Sequence, residues 1–327
     1  MAARLLALLF AVALVAAALA YRSHATGNGG GGSNNPRLTC ATELQAVCKA
    51  LAGRADTTVE AAGTTADRLV QGGDDPGVDG WITVGPWAQM VDEARQRNGK
   101  PTLFAAPSTV ARSPVALVVW PDRRAALEAK CEGPVTWKCL GVVAKGGTWA
   151  ASGGPAAWGP VKVGVDDPHS SGVGLSAIAA GTVAVVGRPD VSSTDLDTDT
   201  FRDWLSGLAH AVPTGDPALE RMLAAGPSVL DLDLSVKAVA ARLVDSSASR
   251  TKPVLVYPAP MTAAAVELSA RRAGAGGGRV GRLVDGRGAD ALRSAGWEAP
   301  GASDAGGPLP SAGVLDALRS AWQDASR

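Results

Sequence analysis

Histidine, the side chain that most often acts as a base in catalysis, is almost missing from this sequence. The 327 residues include three histidines, His24, His169 and His210. His169 is followed by Ser170 and Ser171, but neighbours in sequence rarely meet as a catalytic triad. No Gly-x-Ser-x-Gly elbow follows the strand predicted ahead of them. A nucleophile with its base is therefore not expected, and the sequence predicts a protein that is not an enzyme.

The chain also lacks an excess of either charge. Lysine and arginine together number 31, and aspartate and glutamate also number 31. Proteins that bind nucleic acid or an acidic membrane surface through a basic patch usually carry surplus positive charge. The balance therefore argues against both kinds of partner.

A long apolar run lies at the N-terminus. Arg4 is followed by about sixteen apolar residues, Leu5–Ala20, and Ala18-Leu19-Ala20 offers the small-x-small pattern that signal peptidase prefers. This order is typical of a signal peptide at 1–20 that is removed on export. A retained membrane anchor is the alternative, because the run is slightly shorter than the ~20 residues that span a bilayer.

A flexible tether at 21–36 follows this run. Its Gly/Asn-rich centre, Ala25–Asn35, has no side chain to bury and a very free backbone. A tether beside a hydrophobic segment is useful only if that segment stays on the mature protein. The tether therefore favours a membrane anchor over a cleaved signal peptide. Cys40 follows Arg37-Leu38-Thr39 and does not stand in a lipobox, so a lipid-modified cysteine is not expected. The chain is predicted to be extracytoplasmic, either secreted or anchored to the outer face of the cytoplasmic membrane.

The four cysteines form two pairs of identical spacing, Cys40 with Cys48 and Cys131 with Cys139. In an exported chain these pairs predict two local disulfides. Zinc is the alternative, but neither pair has C-x-x-C spacing and no histidine lies near them. The acidic run Asp195–Asp199 could suggest calcium, but it lacks the glycine and the terminal glutamate of an EF-hand, and helix capping explains it better. No metal site and no cofactor is predicted.

Short apolar, β-branched runs alternate along the rest of the chain with alanine-rich stretches at helical period. This alternation is typical of an α/β protein with largely parallel sheets. The predicted strands are Leu38–Ala41, Thr57–Ala61, Gly80–Val84, Val115–Trp120, Val161–Val165, Val229–Leu234 and Pro253–Tyr257. The predicted helices are Thr42–Ala52, Thr65–Gln71, Trp87–Gln96, Asp122–Lys130, Gly172–Ala180, Asp199–Ala211, Pro217–Ala225, Ser235–Val244, Thr262–Arg271, Ala289–Ala295 and, after a Gly/Pro-rich linker, Ser311–Trp322.

The stretch Val161–Leu175 is the most informative for function. A buried strand ends in an acidic-proline turn, and the two serines and two glycines of Ser170–Gly174 then begin a helix. A helix start presents unpaired backbone N–H groups, here beside hydroxyls, and such groups suit an anion or a polar ligand. Ordinary N-capping by Ser170 or Ser171 is the alternative explanation.

Seven short segments occur in an order that resembles one protein family. They are Leu38–Thr42, Ala62–Thr65, Asp79–Val84 followed by Trp87, Ala111–Val119, Asp167–Gly174, Lys252–Pro258 and Ala295–Pro300. Each match is weak alone, whereas the shared order is specific. The chain resembles the type II extracellular solute-binding proteins, the periplasmic-binding-protein superfamily that includes molybdate-, sulfate- and iron-binding members.

The resemblance implies two α/β lobes, each a mainly parallel sheet flanked by helices. The first lobe is expected at 37–112 and 255–300, and the second at 113–254. Two crossover segments, near Arg112–Val115 and Lys252–Val256, would join them. A ligand cleft between the lobes and hinge closure on the ligand follow from the same resemblance.

The resemblance places ligand contacts at hydroxyls and helix starts, namely at Thr42, Thr64, Thr65, Ser171, Gly172 and Tyr257. Phenylalanine and tyrosine are scarce beyond the tether, which disfavours stacking of sugars. The expected ligand is a small polar or anionic solute, with an ABC-transporter permease as partner. A rival interpretation is a cell-surface structural or interaction module that keeps the fold without a ligand. The long tether and the missing lipobox support the rival. So does the end of the chain, a linker and C-terminal helix at 301–327, because its segment 309–322 resembles the joint to a von Willebrand factor A domain.

Overall fold

The computed structural model describes residues 35–73, 75–213, 217–272, 276–302 and 306–327. The predicted signal peptide at 1–20 and almost all of the tether lie outside these residues. The segment Pro36–Arg327 forms one compact unit. Within the described ranges, no helix is both long enough and apolar enough to cross a membrane.

Eight strands occur in the described part of the chain. They are β1 (Arg37–Cys40), β2 (Asp56–Val59), β3 (Gly80–Val84), β4 (Ser108–Val119), β5 (Val163–Val165), β6 (Leu232–Val236), β7 (Val254–Val256) and β8 (Ala263–Ala270). The seven strands predicted from sequence overlap β1 to β7. Runs of β-branched residues between turn signals identified them, because such side chains pack well on a pleated, buried surface.

The described helices are α1 (Gln45–Leu51), α2 (Ala62–Gln71), α3 (Trp87–Arg97), α4 (Pro121–Lys130), α5 (Trp137–Gly146), α6 (Gly172–Val186), α7 (Asp199–His210), α8 (Ala218–Ala225), α9 (Lys237–Ser246), α10 (Gly277–Val280), α11 (Arg287–Ser294) and α12 (Ala312–Ala325). Ten of the eleven predicted helices overlap one of them. Helix α5 was not predicted, because Gly141 and two valines interrupt its pattern. Gly141 is required there, since a Cβ would collide with the indole of Trp204.

One predicted helix, Thr262–Arg271, is wrong. The segment forms β8, which lies between β3 and the first half of β4 and pairs antiparallel with both. Its alanines favour a helix. In the centre of a sheet, however, backbone donors and acceptors pair with strands on both sides, and Val266 and Leu268 are buried in the core. Tertiary contacts therefore outweigh the local preference.

The sheet runs in the order β2-β1-β3-β8-β4-β6-β5, with β7 also paired to β4. Strands β1, β2 and β3 are parallel, and so are β5 and β6. Strand β4 belongs to both halves, because Ser108–Pro114 pair with β8 and Val115–Val119 pair with β6. We call β1–β3, β8 and the first half of β4 lobe 1, and β5–β7 and the second half of β4 lobe 2. Helices α1–α3, which precede the second half of β4 in the chain, belong to lobe 1, and α4–α9, which lie between β4 and β8 in the chain, belong to lobe 2. The predicted two-lobed α/β architecture is confirmed.

The chain crosses between the lobes twice. The outward crossing lies within β4, where its pairing changes from β8 to β6 after Pro114. The return was expected at Lys252–Val256, but β7 in that segment still pairs with β4 in lobe 2. Pairing in lobe 1 resumes at Ala263. The return segment is therefore 257–262, a few residues later than the sequence indicated.

Helix α6 occupies the centre of the molecule and is buried along almost its whole length. It packs against β6 of lobe 2 and against β3 and β8 of lobe 1. Its many small residues allow this approach, and a Cβ at Gly181 would collide with Trp204. The C-terminal helix α12 also contacts both lobes, through α3 on one side and α7 on the other.

Both predicted disulfides are present, Cys40–Cys48 and Cys131–Cys139. The first joins the end of β1 to α1 in lobe 1, and the second joins the end of α4 to α5 in lobe 2. Each closes a short loop, which by the chain-entropy relation stabilises the fold by roughly 2–3 kcal/mol.

Candidate functional site

Strands β1, β2 and β5 all end at a groove between the two lobes. Ligand sites in open α/β sheets form outside the carboxyl ends of the strands, so this is the expected place. The groove encloses about 1000 Å³. We call it the interlobe groove. Lobe 1 lines it with Thr42, Glu43, Gln45, Ala46, Cys48, Lys49, Ala52, Thr57, Val59 and Ala61, and lobe 2 with Asp166, Ser170, Ser171, Pro217, Leu219, Glu220, Ser235, Val239, Arg242 and Leu243.

Two of the six predicted contact residues, Thr42 and Ser171, line the interlobe groove. Both lie in the segment that leads from a strand into the following helix, as the sequence indicated. Thr64 is exposed on the first turn of α2. Thr65 is buried, and its hydroxyl donates to Glu60 Oε2 at 2.6 Å. These two threonines belong to the start of α2 and do not line the groove.

Gly172 and Tyr257 are not among the residues that line the groove. Gly172 is buried at the first turn of α6, where a Cβ would collide with the carbonyl oxygen of Val84 in lobe 1. Tyr257 is exposed on the return segment. Partial burial raises the pKa of its phenol, and the nearby charges of Lys237 and Glu298 act in opposite directions.

The start of α6 binds an anion, but the anion is part of the protein. Glu43 Oε1 accepts hydrogen bonds from Ser171 Oγ at 3.1 Å, from Gly172 N at 2.6 Å and from Val173 N at 3.2 Å. Ser171 Oγ also caps the helix by accepting from Gly174 N at 3.1 Å. Both interpretations of this segment therefore apply together, N-capping by Ser171 and capture of a carboxylate.

This arrangement is electrostatically favourable. Backbone N–H groups at a helix N-terminus carry partial positive charge, and hydrogen bonds to an ionised acceptor are shorter and stronger than neutral ones. Glu43 lies on the short 3-10 turn Thr42–Leu44 that follows β1 in lobe 1, whereas α6 begins in lobe 2. The three hydrogen bonds therefore connect the lobes at the edge of the interlobe groove.

The lobes also touch directly beside this carboxylate. Gly63 N at the start of α2 donates to Ser170 O at 3.1 Å. A Cβ at Gly63 would collide with the carbonyl oxygen of His169, just as one at Gly172 would collide with Val84. Two glycines thus allow backbone to lie against backbone, one on each side of the contact.

Arg319 of α12 completes the set of contacts. Its Nη2 donates to the carbonyl oxygen of His169 at 2.8 Å, and its guanidinium lies 4.7 Å from the ring centre of Trp87 in lobe 1. Burial lowers the pKa of Arg319, although the carboxylates of Asp316, Asp67 and Asp167 favour the charged form. His169, considered from sequence as a possible base, has its Nδ1 3.4 Å from the same nitrogen.

Charges of both signs line the groove, the basic ones from Lys49 and Arg242 and the acidic ones from Glu43, Asp166 and Glu220. No group of three or more metal-binding side chains was found among the described residues. In the acidic run Asp195–Asp199, Asp195 forms a capping box with Ser192, and Thr198 caps α7. The capping interpretation of that run is confirmed.

Sequence reasoning missed Glu43 and Arg319. Glu43 follows Thr42, which was chosen, but its carboxylate meets a helix 128 positions further along the chain. No local pattern reports such a pairing. The sequence did carry a chemical signal. Glu43 is acidic and stands beside the predicted contact Thr42, and the helix start at the predicted contact Ser171 suits an anion.

Solved structures of low sequence identity share this fold. The iron-bound HitA of Pseudomonas aeruginosa matches with a TM-score of 0.61 and 14% identity over 90% of this chain and 100% of its own. The sulfate-binding protein SubI of Mycobacterium tuberculosis matches with a TM-score of 0.55 and 13% identity over 86% and 96%. The fructose-6-phosphate-bound AfuA of Actinobacillus pleuropneumoniae matches with a TM-score of 0.58 and 12% identity over 89% and 98%.

The chain has the two-lobed fold of the type II periplasmic binding proteins, as its sequence resemblance implied. No protein-family model matches the sequence, and no curated protein matches it either. The resemblance of 309–322 to a joint with a von Willebrand factor A domain stays a prediction.

Proposed function

We propose that the chain is an extracytoplasmic solute-binding protein that takes up a small polar solute in the interlobe groove. The observation that carries this proposal is the groove itself, about 1000 Å³ between strand ends of both lobes. Strand ends are where open α/β sheets present loops and helix starts to a ligand. An ABC-transporter permease would be the partner that receives the solute.

The lining of the groove supports a polar solute. Hydroxyls of Thr42, Ser170 and Ser235 offer donors and acceptors, and charges of both signs stand around them. A free oxyanion is less favoured than the sequence indicated, because Glu43 already accepts the strongest donors at the start of α6. A solute that carries donors as well as acceptors fits this lining better.

The comparisons support the class of function and leave the ligand open. The neighbours named above bind iron, sulfate or a sugar phosphate on the same fold. They are binding proteins, which supports a role without catalysis. The two disulfides suit an oxidising compartment, in agreement with the predicted export segment.

A groove-filling variant tests this proposal. Ala46 is exposed on α1 and lines the groove, so Ala46→Trp would occupy the space meant for the solute. Thermal unfolding would be followed with sulfate, phosphate, ferric citrate, fructose-6-phosphate, thiamin, amino acids and putrescine. A solute at about one hundred times its Kd should raise the Tm of the natural chain by about 5 °C.

The same shift should be lost in Ala46→Trp and retained in Ala125→Trp, which places the same side chain on an exposed site of α4 outside the groove. No shift with any member of the panel, or an equal shift in both variants, would contradict solute binding in this groove.

A second function is favoured by the contacts across the lobes. Glu43 fills the anion-binding position, and Gly63 and Gly172 let the lobes pack directly. These features suit a cell-surface structural or interaction module that keeps the fold without a solute. The panel separates the two functions, because such a module would bind none of its members.

A further inference from the structure

One turn of lobe 2, His169–Gly172, receives contacts from three separate parts of the chain. Glu43 of lobe 1 accepts hydrogen bonds from Ser171 Oγ and Gly172 N. Gly63 N, at the start of α2 in lobe 1, donates to Ser170 O. Arg319 of α12 donates to His169 O. Every residue of this turn is therefore bonded to a group outside lobe 2.

Glu43 and Arg319, two of the residues that make these contacts, are restrained by other parts of the protein. Glu43 stands three positions after the end of β1, and the Cys40–Cys48 disulfide closes the loop that contains it. Arg319 has a side chain only 10% exposed and lies over the ring of Trp87 in lobe 1. The backbone that carries Glu43 and the side chain of Arg319 are thus restrained by contacts other than those with the turn, which lowers the entropy cost of the contact.

We propose that Glu43 acts as an internal ligand that keeps the two lobes closed without any solute. A carboxylate held at a helix N-terminus by three donors supplies the kind of interaction that an anionic ligand would make between two lobes. Because Glu43 is part of lobe 1, its bonds to α6 tie lobe 1 to lobe 2. The contacts of Gly63 and Arg319 with the same turn then form alongside it.

Closure of this kind concerns the protein alone and does not depend on what the groove binds. It predicts that loss of the Glu43 carboxylate changes the distance between the lobes in dialysed protein. The variants are Glu43→Ala, which removes the carboxylate, and Glu43→Gln, a milder change that keeps the shape. The control is Glu220→Gln, a carboxylate from lobe 2 that lines the same groove.

Hydrogen exchange and small-angle X-ray scattering give the two readouts. In Glu43→Ala the amides of Gly172 and Val173 should exchange about tenfold faster or more, because they lose a charge-assisted partner. The decisive amide is Gly63, whose partner is Ser170 O rather than Glu43. If the lobes separate, this amide should also exchange about tenfold faster, and the radius of gyration should increase. Glu43→Gln should lie between Glu43→Ala and the natural chain, and Glu220→Gln should match the natural chain.

Two results would overturn the proposal. Faster exchange confined to Gly172 and Val173, with Gly63 and the radius of gyration unchanged, would show that Glu43 only caps α6. Opening of Glu220→Gln to the same extent would show a general effect of groove charge. A solute panel without any shift in Tm would leave both of these readouts unaffected. Closure by Glu43 and solute binding in the groove are therefore tested by different measurements.

Discussion

Glu267 is an ionisable side chain placed where a charge is costly. It lies in the middle of β8, opposite Thr83 of β3 and Thr109 of β4. Its Oε2 is buried, with no hydrogen-bond partner found among the described residues. Burial raises the pKa of this carboxyl from 4.5 to about 7. Near neutral pH the group therefore lies close to the midpoint of its titration.

This pKa predicts how stability depends on pH. The folded protein binds the proton of Glu267 more tightly than the unfolded chain, so its favourable contribution is complete below pH 4.5 and is lost as pH rises towards 7. In Glu267→Gln the side chain stays neutral at every pH. Between about pH 4.5 and 8, the natural chain should lose up to about 3 kcal/mol of unfolding free energy relative to this variant.

Urea unfolding at a series of pH values measures this difference. The control is Glu220→Gln, because the carboxyl of Glu220 is exposed. The unfolding free energy of this variant should change with pH in the same way as that of the natural chain. A difference between Glu267→Gln and the natural chain that does not change with pH would rule out a titrating, buried Glu267.

At the residue scale, sequence reasoning located part of the site. The family resemblance predicts Thr42 and Ser171 as contacts because it places ligands at hydroxyls and helix starts, and both residues line the interlobe groove. Thr65 was chosen by the same rule, but its hydroxyl is bonded to Glu60. Glu43 could not be chosen, because its role depends on how close the two lobes come, and no sequence periodicity encodes that distance.

At the scale of single elements, prediction and structure agree where the local sequence pattern is strong. Strand β3 was predicted at its observed bounds, Gly80–Val84, because its β-branched and aromatic residues are all buried. Strand β8 was predicted as a helix, because Ala263, Ala264 and Ala265 read as helix formers. What places β8 in the sheet is its pairing with β3 on one side and β4 on the other, and both strands lie far from it in sequence.

Helix α12 gives a prediction at the same scale. Its Arg319 is almost fully buried against the ring of Trp87 and the turn at His169. Arg319→Ala should reduce the unfolding free energy by about 1–3 kcal/mol, through lost packing, cation–π contact and hydrogen bonding. Chemical denaturation of the two proteins at one pH measures the loss.

The matched control is Arg97→Ala. Arg97 of α3 also reaches α12, through an ion pair with Asp316 at 2.8 Å, but its side chain is 57% exposed. Exposed ion pairs contribute about 0–1 kcal/mol. Equal losses in Arg97→Ala and Arg319→Ala would show that α12 is held by surface charge rather than by the buried arginine.

At the scale of the whole molecule, the order of motifs predicted more than any motif alone. The two lobes, the crossing within β4 and the groove at the strand ends all follow from seven weak segments in one order. The exact position of the return segment, 257–262, and the direct contact between the lobes do not follow from that order. Both depend on which strand pairs last with β4, and pairing partners far apart in sequence leave little local trace.

The disulfide between Cys40 and Cys48 has a consequence for the time course of folding. Its cysteines are eight positions apart in the first part of lobe 1, whereas β8 in the centre of the same sheet comes from the far end of the chain. The early strands therefore cannot complete their sheet until lobe 2 and the β8 segment that follows it are available. A cross-link between neighbours can form during that interval, and it holds β1 to α1 while the sheet is still unfinished.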